Sequence, residues 1–198
     1  MSSTFAIVSV TAVLKRLLEN GLIDHGVIAA LGADVIVSAL PPDRITTGSD
    51  EHTQLNLFLY QITPNTGLSA AGRSGSAERR AASPPLTLDL YYLITSYSAQ
   101  EYHMEILLGY AVELLHRSPE ITGDQMQAVL SAMAAADSSG LQPVLGAVAA
   151  SGQAGQIAKL AIRPQFPSSD ELSKLWSALQ ARYRPSAVYK VSLGLIES

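Results

Sequence analysis

Apolar positions recur at helical spacing over residues 4–20, where Ala6, Val10, Val13, Leu14, Leu17 and Leu18 fall on one face. Thr4 or Ser3 is placed to cap this helix and Asn20-Gly21 to stop it. The run ADVIVSAL at 33–40 predicts a short strand, ended by Pro41-Pro42, and PPDRITTGSDEH at 41–52 reads as a loop. In TQLNLFLYQITP, Leu55, Leu57 and Leu59 line one face, and Phe58, Tyr60 and Ile62 the other. A strand apolar on both faces belongs inside a sheet covered on both sides, by the same chain or by a neighbour.

Residues 64–84 lose all periodicity and become rich in Gly, Ser, Ala and Arg. A stretch of that length without pattern predicts a flexible loop or arm. In PPLTLDLYYLITSY, Leu86, Leu88, Leu90, Tyr92 and Ile94 share one face, opposite Thr87, Asp89, Tyr91 and Thr95, with Leu93 the exception. A helix follows over about 101–117, with Met104, Leu107, Leu108, Ala111, Leu114 and Leu115 as its buried stripe. GDQMQAVLSAMAAA predicts a second helix, residues 137–155 read mostly as loop, and QIAKLAIRPQF predicts a strand. Ser168 and Glu171 have the spacing of a capping box ahead of Leu172, Leu175, Trp176 and Leu179. Arg184-Pro185 ends that helix, and Ala187, Tyr189, Val191, Leu193 and Leu195 alternate as a last strand. The order α, β, β, arm, β, α, α, β, α, β predicts an α/β (α+β) fold. It is one domain over 1–198, with a single mixed, mostly antiparallel sheet flanked by helices.

Composition changes this picture in one respect. Only 15% of the 198 residues are charged against 47% hydrophobic, whereas soluble domains carry about 25% charged residues. Subunit contacts explain the shortfall, as does an alanine-rich chain. The net charge of −4 supplies no basic field for nucleic acid. The absence of cysteine excludes disulfides, thiolate metal sites and a cysteine nucleophile. The N-terminus has no positive region ahead of its apolar residues, so a signal peptide is not expected. Asp34 interrupts the best apolar run, Val27 to Leu40, well short of the ~20 residues of a membrane span.

Candidate chemistry is sparse. His25, His52, His103 and His116 form no HxH or HxxxH pair. On a helix, His103 points away from Glu101 and Glu105, so EYHME reads as a solvated face. Asp50, Glu51 and His52 read as strand-entry residues, and GRSGS at 72–76 lacks the ending of a phosphate loop. Asp89 on a partly covered strand needs a partner, for which Arg163 or Arg184 is the candidate. No catalytic, cofactor-binding or metal residues are therefore assigned, and Trp176, Leu172 and Leu179 are assigned to the core.

Three segments, QLNLFLYQITPN, PPLTLDLYYLITSYS and ELSKLWSALQARYRPSAVYKVSLGLI, together with LPPDRI at 40–45, resemble the tail-terminator, or cap, proteins of phage-tail-like contractile injection systems. The resemblance runs from about residue 5 to residue 196. It implies a sheet flanked by helices and a structural, non-enzymatic role without cofactor. It also implies a homo-hexameric ring that closes the inner tube and anchors the last sheath layer. The expected partners are other copies, tube and sheath proteins, with no nucleic acid and no membrane insertion. Assembly is expected in the cytoplasm, on a particle that is released or membrane-anchored. On this reading the last strand, Ala187 to Ile196, is a candidate edge for pairing with a neighbour's strand. The candidate contact residues are Tyr189, Val191, Leu193 and Leu195 in that strand, and Arg73, Arg79 and Arg80 in the arm. A small α/β enzyme or ligand-binding domain, or a monomeric adaptor, is the alternative class.

Overall fold

The computed structural model describes residues 5–65, 87–136, 146, 147, 150 and 157–195. The expected 64–84 arm beyond Asn65, with Arg73, Arg79 and Arg80, and most of the 137–155 loop therefore lie outside the described residues, while Pro64 ends a strand.

Helix α1 spans Ala6–Asp24, and the short α2, Val27–Leu31, follows it. Gly26 and Gly32 flank α2 at φ 66° and 60°, left-handed conformations that glycine adopts without a Cβ penalty. Strand β1 is Ile36–Ser38, a 3₁₀ turn covers Pro42–Arg44, and β2 is Gln54–Pro64. Strand β3, Thr87–Tyr97, leads to α3, His103–Arg117, then β4, Glu120–Thr122, and α4, Gly123–Ala136. Strand β5, Ile157–Gln165, helix α5, Ser169–Ala178, and strand β6, Ser186–Leu195, complete the chain. The sheet order is β1-β2-β3-β6-β5-β4. Among the described strands only β1 and β2 run parallel, joined by the 39–53 connection. The other pairs are antiparallel, so the mixed sheet expected from the pattern is present.

One sheet face is closed by α1, α3 and α4. Leu55, Leu57, Leu90, Tyr92, Ile94, Leu160, Ile162, Val191 and Leu193 from the strands join Leu14, Leu18, Leu107, Ala111 and Met126 from the helices in the main core. Each fully buried leucine there stabilises the fold by about 1.5–3 kcal/mol over an exposed one. Two buried tyrosine hydroxyls in this core are paired. The Tyr92 and Thr11 hydroxyls bond at 2.9 Å, and the Tyr110 hydroxyl donates to the Leu18 carbonyl at 2.8 Å. Burial raises the pKa of both phenols well above the ordinary range.

Tyr110 also corrects the reading of Gly21. Helix α1 does not stop at Asn20-Gly21 but continues to Asp24. A β-carbon on Gly21 would collide with the Tyr110 hydroxyl, so this glycine admits a close helix–helix approach. Among the described residues no side chain caps α1, whose N-cap is Phe5.

The opposite face carries α5. Trp176, 2% exposed, packs on Leu93 and Val188, with Leu172, Leu175 and Leu179 around it. This second cluster explains the apolar exception at Leu93. The capping box is formed: Ser168 Oγ accepts from the Glu171 amide, and Glu171 accepts from the Ser168 amide at 2.8 Å. Those bonds to Ser168 hold the Glu171 carboxyl below its ordinary pKa.

Two elements have no counterpart in the sequence pattern. Helix α2 and strand β4 are five and three residues long, too short to show a period. In β2 the pairing shifts between Leu59 and Gln61: Leu59 opposes Tyr92, whereas Gln61 opposes Tyr91 and Ile62 opposes Leu90. The extra residue is a β-bulge. It moves Ile62 onto the face of Leu57 and Leu59, contrary to strict alternation, and leaves it 46% exposed.

Candidate assembly surface

The polar residues singled out in the sequence serve mainly to join elements. Glu51, at the entry to β2, takes both arms of the Arg184 guanidinium at 2.8 and 2.7 Å and accepts from the Ser98 amide at 2.8 Å. Its side chain is 6% exposed. Arg184 also lies 4.6 Å from the centre of the Tyr97 ring, a cation–π contact. Burial, the largest effect, raises the Tyr97 phenol pKa, and Thr95 and Arg184 oppose the shift. The pair ties the 39–53 connection to the turn between α5 and β6. Helix α3 begins at His103, behind Tyr102 in a left-handed conformation at φ 66°. Glu101 is therefore outside the helix. Among the described residues no group of three or more His, Cys, Asp or Glu side chains could hold a metal ion.

Asp89 is paired, but with neither Arg163 nor Arg184. Lys190 lies 3.5 Å away, Ser192 donates at 2.5 Å and Asn65 donates at 2.7 Å. The reason is register. Strand β3 lies beside β6, and Asp89 directly opposes Ser192. Arg163 sits on β5 and reaches Glu120 at 3.7 Å, which Lys159 contacts at 3.0 Å.

These groups occupy one half of the α5 side of the sheet. Cross-strand pairs share a face. Phe58, Leu93, Val188 and Gln165 form one row, in which Leu93 and Val188 lie beneath α5. The next row is Gln61, Tyr91, Lys190 and Arg163, and the one beyond is Thr63, Asp89, Ser192, Ala161 and Glu120. The Tyr60 and Tyr91 rings meet at 6.3 Å along the margin between the halves. Desolvation, then Tyr91 and Glu171, raise the Tyr60 phenol pKa.

The strand edges differ from expectation. Strand β6 is no edge: it is paired with β3 on one side and β5 on the other, through Leu195. Tyr189, Val191 and Leu193 are at most 4% exposed. The final strand of the chain thus lies inside the sheet, and its apolar alternation serves the core. The outermost strands are β1 and β4, of three residues each. At β4 a side chain stands in for a further strand, Gln125 accepting from the Thr122 amide at 2.9 Å, whereas Asn56 of β2 extends the inner side of β1 by bonding the Leu40 amide and carbonyl at 3.0 Å. Short outer strands resist added pairing. Strand β1 covers only Gln54–Asn56 of β2, so among the described residues no strand lies along the outer side of β2 from Phe58 to Pro64. No sequence signal marks this edge, because edges follow from strand order.

Two concave regions accompany the strands. One, of about 370 Å³, lies among Val112, Phe166, Leu172, Ala187 and Tyr189, with Phe166 90% exposed at its rim. The other, of about 670 Å³, lies among Val13, Leu17, Ile121, Gln125 and Val129. Both are lined chiefly by apolar side chains. No helix among the described residues is long and apolar enough to cross a membrane.

The Pvc16 N-terminal domain family model matches residues 9–198, so the chain belongs to that family. Its fold is similar to two solved structures. One is the sheath/tube terminator, in the extended state, of an extracellular contractile injection system, PVC. It has 17% identity and a TM-score of 0.49, over 89% of this chain and 56% of that one. The other is the tube-terminating cap of the anti-feeding prophage, with 14% identity and a TM-score of 0.47, over 90% of this chain and 54% of that one. The chain thus spans little more than half the length of either. No curated protein matches it in sequence.

Proposed function

We propose that this member of the Pvc16 N-terminal domain family is a structural cap, ending the tube and sheath of a contractile injection particle without catalysing a reaction. The observation that carries the reading is the family match across residues 9–198. The proteins it resembles in fold are a sheath/tube terminator and a tube-terminating cap.

The physical features fit such work. A terminator must match the last layer of a polymer and offer no copy of that layer to the next subunit. The chain has a sheet packed on both sides, a half-open polar face and short outer strands. Copies of the chain form a ring, a homo-hexamer, that contacts the inner tube and anchors the last sheath layer. Many identical weak contacts around a ring give avidity without large individual affinities. Arg73, Arg79 and Arg80 in the arm dock on an acidic partner surface.

Imaging of particles with and without the protein tests the reading. Loss of the cap gives tubes of uncontrolled length or sheaths detached from tubes. Particles unchanged in length and sheath attachment without it would overturn the proposal. In particles that retain the cap, charge reversal at the three arginines weakens its attachment, and unaltered occupancy removes the arm's role alone.

A further inference from the structure

The two sides of the sheet end differently. At the β4–β5 side the chain places Glu120, Lys159 and Arg163 and puts Pro164 in the outer part of β5. Charges and proline on an edge discourage pairing with another strand. At the β2 side, no charged residue occurs anywhere from Thr53 to Gly72.

Main-chain phase shows what this edge offers. The Asn65 amide donates to the Thr87 carbonyl, and antiparallel bonding alternates residue by residue. Thr63 and Gln61 therefore turn their main-chain groups towards Asp89 and Tyr91, and Ile62 turns its own outward. Pro64, which has no N–H, falls at a position that β3 does not need. On the other side of the bulge, the Ile36 amide donates to the Thr53 carbonyl, so Leu55, Leu57 and Leu59 face outward. Strand β1 ends opposite Asn56, and no described strand continues beside Leu59 and Ile62. Ile62 is 46% exposed and Gln61 is also exposed. The bulge adds twist, which weakens a long flat pairing, but it leaves outward donors on both of its sides and adds no charge.

We propose that the outer edge of β2, from Phe58 to Pro64, is a strand-accepting site that takes an extended, uncharged segment of a different protein as a further strand of the sheet. A row of outward N–H and C=O groups is satisfied by another extended main chain and by little else of that shape. A neighbouring copy in a ring does not supply it. The other side of the sheet is short, capped and charged, and β2 pairing with β2 closes on two copies only. The proposal rests on the cap reading, in which a polymer end stands beside the chain.

Amide hydrogen exchange on the isolated chain and on particles carrying it tests the proposal. The Leu59 and Ile62 amides exchange at least about tenfold more slowly in the particle than in the free chain. Ile62→Pro removes one outward donor and leaves the ladder to β3 intact. Ile62→Lys places a charge on the edge and carries the test where the proline variant fails to fold. Either folded variant reduces incorporation into particles by about tenfold, the loss expected from one or two main-chain hydrogen bonds per subunit. A chain present at tube ends with both amides unprotected, or an Ile62→Lys variant incorporated in full, overturns the proposal and spares the cap. A chain absent from tube ends sinks both. A dimer in sedimentation that Ile62→Lys dissolves shows a second copy on the edge and overturns the choice of partner.

Discussion

The two faces of the sheet follow different rules. The side closed by α1, α3 and α4 is one continuous apolar core, within which the Tyr92 and Tyr110 hydroxyls are bonded at short range. The α5 side is divided. Leu93 and Val188 lie dry beneath Trp176, and the rows beyond them carry Tyr91, Lys190, Asp89 and Arg163. The first face holds the larger share of the buried apolar side chains. On the second, a single ten-residue helix buries what it can reach and leaves the rest polar. Exposed ion pairs in the open half, such as Lys159 with Glu120, contribute little to folding, about 0–1 kcal/mol.

Substitutions can break or sharpen that contrast. Trp176→Ala has the largest expected effect, about 3–5 kcal/mol. If the α5 cluster is a satellite, hydrogen exchange accelerates first in Ser169–Ala178 while Leu107 and Tyr92 keep their protection. Uniform loss across both faces would show one cooperative core. Gly21→Ala tests the closed face through the helix approach. The added methyl must displace the Tyr110 hydroxyl, at a cost of about 1–3 kcal/mol, read by urea denaturation. A neutral result would mean that α1 and α3 separate without loss. The smallest effect comes from acid. The lowered pKa of Glu171 means that its capping bonds add stability that is fully present above the ordinary glutamate value of 4.5. That contribution is lost as pH falls through the lower folded value. Circular dichroism should show α5 weakening below about pH 4.5 in the native chain, and Glu171→Gln should shift that acid transition. An unchanged acid limb in the variant would remove the capping box from the account.

Much of this was legible in the chain. Alternation in PPLTLDLYYLITSY assigned both faces of β3, and the one residue out of pattern, Leu93, marks where α5 docks. The capping box and the buried Trp176 were also readable, because both depend on neighbours three or four residues apart. What escaped notice depends on strand order. Asp89 meets Lys190 and Ser192 because β6 inserts between β3 and β5, which no local spacing states. The same insertion turns the last strand from an expected edge into an interior one. Gly21 looks like a stop in sequence and acts as a recess only because Tyr110 lies against it in space.

The β-bulge in β2 has a consequence for how this strand tolerates change in length. Removing the one residue between Leu59 and Gln61, Tyr60, would restore uniform alternation and leave the cross-strand pairs on either side as they stand. Thr63 would keep its place opposite Asp89, and the apolar Ile62 its side of the sheet. At this point the count of residues is free to fall by one, so loss of the Tyr60 codon should be absorbed with the flanking pairs unchanged.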